Sequence, residues 1–373
     1  MRKTHNLIYT TLVLLLIAFI TACGSGSSAN ENSPTPTTPE SSTLQSPSPE
    51  PTPTQVASTT PTQMPSPQPT STPEHKEKRT DKNLLSPRKR PIAIMVENHP
   101  DARPQSGLIN ADVIYEAPAE FGIPRFMAIF VNKESKIVGP IRSARTYYVS
   151  WASEYNPVYV HAGGSPQGIR LIDQLGLQHI DALRYYAPQA FWRSTDRDAP
   201  HNLYGSTTEI RKLIAKDKNL QGKKGTWGPI HWSNNPTIGS ESGKEVSVTY
   251  AEGYQASFKY DPQTGLYNRY MVGKPHLDRE TKRQIAASAV IVQTVDMWQI
   301  KGDAYGRREV DLTNASGPIL VFQNGKVLKG KWEKEDVDKV TKYETNDGKP
   351  IELKPGQVWI EIVPKEGSKI DYR

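Results

Sequence analysis

The 373-residue sequence predicts a mixed α/β domain (α/β or α+β) followed by a smaller, mainly antiparallel β domain, both carried behind an export signal and a long tether. Three observations lead there. Between residues 85 and 235, short apolar runs alternate with segments of helical spacing. From 236 to 373 the apolar runs are strand-length and bounded by turn residues. Residues 24–82 are largely Ser, Thr, Pro and Gln, too poor in apolar surface to offset the entropy of ordering.

The chain opens with Arg2 and Lys3, an apolar run over residues 7–20, and Ile20-Thr21-Ala22-Cys23. A positive start, a short apolar stretch and small residues before a cysteine resemble a bacterial lipobox. The likeness implies cleavage after Ala22 and a diacylglyceryl thioether on Cys23, so that residues 1–22 are a signal peptide and the membrane is reached through the lipid on Cys23. An uncleaved anchor fits less well, because the run falls short of the ~20 apolar residues needed to span a bilayer. Cys23 is the only cysteine, which excludes intramolecular disulfides, a thiol nucleophile in the body and thiolate metal clusters. The tether, residues 23–84 with the lipidated cysteine, is expected to be disordered and partly polyproline II. At full extension, at ~3.1 Å per residue, it would reach on the order of 180 Å, far enough to enter a thick cell wall.

The formal net charge is +7, and the only charges from Gly24 to His75 are Glu31, Glu40, Glu50 and Glu74, so the positive surplus belongs to the body. A basic body held at the extracytoplasmic face of the cell membrane is drawn to anionic headgroups or teichoic-acid phosphates; nucleic acid is not an expected partner there. Surplus lysine on a solvated face is the plainer explanation of the same charge.

Within the first domain, residues 91–96 (PIAIMV) read as a buried strand ending at Glu97-Asn98-His99-Pro100. Residues 111–116 and 126–131 are two more strands, with Gly122 and Pro124 in the turn between them. Residues 144–155 read as a helix, 158–161 as a strand, and 167–175 as a helix with Ile169, Ile172 and Leu175 at helical spacing. A further helix over 206–218 starts at Ser206 or Thr207, with Glu209 in its first turn and lysines in its last. Residues 222–244 are rich in Gly, Ser, Asn and Pro and mark the boundary, placed at 235/236. Beyond it, strands are expected at 246–250, 256–260, 266–272, 289–295, 319–322 and 358–363, with turns at 261–265, 323–326 and 346–349.

Two clusters carry candidate chemistry. The first joins Arg125, Arg142 and Arg145 to the turn His161-Ala162-Gly163-Gly164-Ser165-Pro166. Arginine forks suit oxyanions, and a strand that breaks at glycines into a helix offers backbone N–H groups and the positive end of a helix dipole. The plain alternative is that Arg142 and Arg145 pair with acids such as Glu116 or Glu120 and that Gly163 and Gly164 serve only the turn. The second is the loop from Phe191 to Tyr204, where Trp192, Arg193, Arg197, Asp198 and His201 could make a platform for a sugar or ring, or a loop whose aspartates cap their own backbone. His161 and His201 are the candidate acid–base residues, with Glu97, Glu116 or Asp198 as partners; a lone histidine is more often scaffolding. Gly164-Ser165-Pro166-Gln167-Gly168 is not the GxSxG elbow, the remaining histidines show no metal-ligand spacing, and no cofactor motif is present, so neither metal nor cofactor is expected. His276 and Asp278, two apart, would share one side of a strand, and read first as an interdomain or surface contact.

Several long segments resemble a known family: RPIAIMVENHPDARPQSGL, ADVIYEAPAEFGIPRFMAIF, GPIRSARTYYVSWA, YVHAGGSPQ and DAPHNLY in the first domain, and YNRYMVGKPHLDRET, ASAVIVQT and PGQVWIEIVP in the second. They are similar to the YerB-type lipoproteins of Gram-positive bacteria, a two-domain family of unknown function, over nearly the whole chain past the tether. The resemblance implies a lipid-anchored extracytoplasmic protein and brings no catalytic residues with it. Two kinds of function remain: binding of an anionic, phosphate- or carboxylate-bearing envelope component, or an envelope enzyme acting on phosphate-linked or glycan polymer in which the arginines stabilise charge and a histidine moves a proton. Membrane-anchored wall-polymer transferases also set arginines against pyrophosphate, but none of their motif text is present, which leaves analogy alone. Binding is preferred because no nucleophile, metal motif or paired carboxylate emerges; a protein–protein scaffold is the third possibility.

Overall fold

Why the first apolar runs show no alternation is answered by where they sit. The computed structural model describes residues 86–222 and 224–373; the expected signal peptide, the lipidation site Cys23 and the tether to residue 84 lie outside the described residues. In chain order the elements that organise the body are β1 (Ile92–Glu97), β2 (Val113–Pro118), β3 (Pro124–Phe130), α1 (Thr146–Ser153), β4 (Val158–His161), α2 (Pro166–Gln174), β5 (His179–Asp181) and α3 (Thr207–Lys216). The second half adds β6 (Glu245–Ala251), β7 (Tyr254–Asp261), β8 (Leu266–Met271), β9 (Ala289–Val295), β10 (Ala315–Gln323), β11 (Lys326–Lys334), β12 (Lys342–Thr345), β13 (Val358–Pro364) and β14 (Lys369–Tyr372).

Ten of these strands, in the order β12-β11-β10-β9-β13-β2-β3-β1-β4-β5, form one sheet, with Glu241–Ser242 added beside β11. Every residue of β1, β2, β3 and β13 is buried, because these central strands are covered on both faces. The fold is thus a mixed α/β N-terminal half and a β-rich C-terminal half, and the sheet runs through both. The seam is β13, parallel to β9 on one side and to β2 on the other, where Val113 pairs with Val358 and Glu116 with Glu361.

The two-residue period of the strands sorts their side chains onto two faces. Ile92, Ile94 and Val96 meet Val246, Val248 and Phe258 of a second sheet, in which β8, β7, β6 and β14 follow one another. Ala93 and Met95 face the other way, into Tyr147, Tyr148 and Trp151 of α1. β6 alternates buried and half-buried residues as a one-sided strand should. Ser206 caps α3, its hydroxyl accepting from Glu209 N, as the sequence predicts.

Candidate functional site

Three segments that end or begin elements converge beside the end of β1. Glu97 closes β1; the turn Glu120–Gly122 joins β2 to β3; and residues 142–145 lead into α1. Register does much of the placing: Arg125 on β3 lies opposite Glu97 on β1 and Ala117 on β2. Between these segments and the residues before α2 lies a groove of about 440 Å³ whose walls include Arg125, Arg142, Arg145 and Arg307 against two carboxylates, Glu97 and Glu120. Phe121, 72% exposed and held at φ 56°, and the exposed Tyr305 flank it.

The acids organise the arginines. Glu120 Oε2 accepts from Arg125 Nη2 (2.6 Å) and Oε1 from Arg145 Nε (2.5 Å). Burial pushes the Glu120 carboxyl up, but the guanidinium groups of Arg125 and Arg145 outweigh it and leave the group below the ordinary carboxylate range. Burial, and after it the like charge of Arg125, lowers Arg145 from its usual value. Glu97 is shared differently: Oε1 accepts from Arg142 Nε (2.9 Å) and Oε2 is 3.0 Å from His201 Nδ1. The two terminal nitrogens of Arg142 make no hydrogen bond among the described residues, and its side chain is 27% exposed in the groove.

Several donors of the glycine turn are already used within the fold. Gly163 N donates to Asp181 Oδ1 (2.9 Å), Gly168 N to the Ser165 hydroxyl (3.1 Å) and Ser165 N to Ala144 O (3.2 Å). Gly164 and Ser165 reach the groove wall, and a Cβ at Gly164 would lie 2.8 Å from Ile169 Cδ1. His161 does not reach it. Its buried ring donates from Nδ1 to Gly163 O (2.9 Å) and accepts at Nε2 from His179 Nδ1 (2.9 Å), and burial pushes it down to about 4. Both nitrogens are committed to the scaffold, which removes His161 as an acid–base candidate.

The aromatic loop is dispersed rather than assembled. Trp192 and Arg193 border a separate depression of about 480 Å³ beside Leu183 and Tyr186, and Arg193 Nη1 donates to Asn202 Oδ1 (2.7 Å). Arg197 pins the segment before β2 through Ala102 O (2.9 Å) and Pro104 O (2.9 Å), while Asp198 is exposed and takes His201 N on its backbone oxygen. Only His201 comes to the groove's end, where its ring stacks on His99 at 4.7 Å. Sequence reasoning missed Phe121, Tyr305 and Arg307, which no motif marks; His99, two residues from both Glu97 and Asp101, stands in a segment that could have been singled out.

Below the groove a buried network joins the two halves. Arg269 on β8, 0% exposed, donates to Glu116 Oε2 (2.5 Å), Glu361 Oε1 (2.9 Å) and His276 Nδ1 (3.0 Å), and lies 3.9 Å over the Trp359 ring. Asn98 Nδ2 donates to Glu116 Oε1 (3.0 Å), and Gln105 links Asn98 to His276 Nε2. Asp278 Oδ2 accepts from Gly107 N (2.6 Å), so His276 and Asp278 are contacts between the halves.

Comparison with known proteins agrees over both halves. A family model described as "Protein of unknown function (DUF3048) N-terminal domain" matches residues 77–221, and its C-terminal counterpart matches 246–360. A Bacillus subtilis (strain 168) protein named "Putative lipoprotein YerB" is 34% identical over 279 residues, covering 74% of this chain and 82% of that protein. The crystal structure of the YerB protein from Bacillus subtilis superposes with a TM-score of 0.66 at 32% identity, over 79% of this chain and 97% of that one.

Proposed function

For a chain that belongs to DUF3048, a family of unknown function with an N-terminal and a C-terminal domain, we propose a lipid-anchored receptor for an anionic envelope component. The lipobox-like segment ending at Cys23 and a relative named a lipoprotein support attachment to the extracytoplasmic face of the cell membrane. One observation carries the ligand class: four guanidinium groups against two carboxylates line a single groove, and Arg142 turns two uncommitted donors into it. Two parallel N–H donors match a phosphate or carboxylate edge. Phe121 and Tyr305 add apolar area for the carrier of that anion, such as a glycan ring or a lipid chain near its headgroup.

The test is titration of the full chain in detergent micelles with inorganic pyrophosphate and with purified wall teichoic acid, at two salt concentrations. Binding is expected to weaken with salt, and Arg142→Ala to weaken it roughly tenfold, the worth of about one charge-assisted hydrogen bond, with the melting temperature recorded alongside because Glu97 Oε1 loses its partner. Absent binding, or binding indifferent to Arg142→Ala, overturns the reading. Cleaved polymer after incubation would make the groove a reaction site instead.

A further inference from the structure

At the groove's end, outside the arginine cluster, two ligand-type side chains of one short segment meet a third from a distant part of the chain. His99 Nδ1 lies 3.4 Å from Asp101 Oδ2, His201 Nε2 lies 3.9 Å from the same oxygen, and one ligand atom from each of the three falls within 4.8 Å of the others. We propose that His99, Asp101 and His201 form a binding site for a divalent cation of the zinc type, with Glu97 as the positioning residue behind it.

The chemistry of His201 points that way. His201 Nδ1–H donates to Glu97 Oε2 at 3.0 Å, so the lone pair is left on Nε2, the atom that faces Asp101. A histidine whose other nitrogen donates to a carboxylate is the usual arrangement behind a metal ligand, because it fixes the tautomer and raises the basicity of the bound nitrogen. Glu97 is itself held by Arg142, and its side chain is nearly fully buried, so the orientation is rigid. Two imidazoles and one carboxylate are a donor set that zinc-like cations accept, with the remaining position open to water or ligand. Tetrahedral bonds of ~2.0–2.1 Å put ligand atoms about 3.3 Å apart, so with Asp101 Oδ2 already 3.4 and 3.9 Å from the two nitrogens, the pair left to close is that of the two histidines, by up to about 1.5 Å. The His99 side chain, 34% exposed, makes that adjustment by releasing the Asp101 N–H that its Nδ1 accepts at 3.3 Å. His99 follows β1 directly and its segment rests on Asn98, which the Arg269 network anchors.

The site stands on its own observations and extends the groove's reading, since a cation there would lie beside the guanidinium of Arg142 and give a bound anion a second positive contact. The full chain, stripped with chelator and held in detergent micelles, would be titrated with Zn²⁺ by calorimetry and with Co²⁺ by visible absorption. One equivalent is expected, with a Co²⁺ band of low-coordinate geometry. His201→Ala and the exposed-site variants His99→Ala and Asp101→Asn should each weaken binding by about a hundredfold, and Glu97→Gln by ~10–100-fold with a shifted Co²⁺ spectrum. The spectral shift separates positioning from simple destabilisation. No binding by the unaltered chain, or binding unchanged in His99→Ala and Asp101→Asn, overturns the proposal and leaves an ordinary histidine–carboxylate contact. Pyrophosphate titration in chelator tests the groove separately, so the two readings can fail independently.

Discussion

Replacing Arg269 with methionine tests whether the buried network holds the two halves together. Methionine fills part of the guanidinium's place above Trp359 but leaves Glu116, Glu361 and His276 without their shared donor. The network's charge is finely set: burial, and then the neighbouring Glu116, pushes the Glu361 carboxyl up to about 8, and burial lowers His276 well below its usual value. Removing Arg269 takes the shared guanidinium away from two carboxyl groups that are sealed from solvent. Loss of one member of a buried ion pair costs about 3–5 kcal/mol, roughly a fifth or more of a typical total of ~5–15 kcal/mol. At roughly 2–4 °C per kcal/mol for a body of this size, the midpoint should fall by about 6–20 °C. Urea unfolding followed by tryptophan emission is a direct assay, since Trp359 lies against the altered side chain. The combination Arg269→Met, Glu116→Gln and Glu361→Gln, which removes the charges together, should recover most of the loss. A loss below about 1 kcal/mol for Arg269→Met alone would refute the reasoning, because a stranded buried carboxylate cannot be that cheap.

Further outcomes follow from other contacts. Glu120→Gln removes one of the groove's two negative charges; at ~7 Å and an effective dielectric near 20 a unit charge is worth about 2 kcal/mol, so pyrophosphate affinity at low salt should rise about tenfold or more, and a fall would mean Glu120 matters chiefly for shaping Arg125 and Arg145. His161, pushed down to about 4 by burial, is neutral in the folded chain while its unfolded counterpart protonates near 6.5. The unfolded state then binds more protons between these values, so stability is lost as pH falls from about 6.5 to 4, by at most about 3 kcal/mol. Comparing urea midpoints at both ends for the native chain and His161→Asn should show a shallower acid slope in the variant. A fragment of residues 85–235 alone should fail to give cooperative unfolding by circular dichroism, because β2 would lose its β13 partner and expose a flat apolar edge; a cooperative fragment would show that the halves fold separately.

The central strands were legible because burial on both faces writes itself as unbroken apolar text, as in residues 91–96, and β6 was legible through its alternation. β11 was not, since KVLKGKWEK looks like a charged loop. Lys329 is satisfied across the sheet by Glu241, Lys331 across it by Glu344 and along its own strand by Glu333, while Val327 and Trp332 turn inward. Nor could composition reveal that β13 crosses to β2, a pairing set by tertiary packing. At the site, residue type alone singled out Arg125, Arg142 and Arg145, and the acid Glu120 was named as a partner for Arg145. That Gly163 N is already taken could not be read from the turn, because its acceptor Asp181 comes eighteen positions later in a different strand. His201 and Glu97 lie 104 positions apart, and no spacing rule connects them.

The seam at β13 also bears on how such a protein can change over generations. Glu116 comes from the first matched domain and Arg269 from the second, with Glu361 one residue past its end, and each is sealed from solvent. Neither domain presents a finished surface to which a foreign neighbour could be joined. Gene fusions that exchange one half must carry its partner strand and its counter-charges with them, so the two are expected to be inherited as a single unit, with variation confined to the outer strands and the groove's rim.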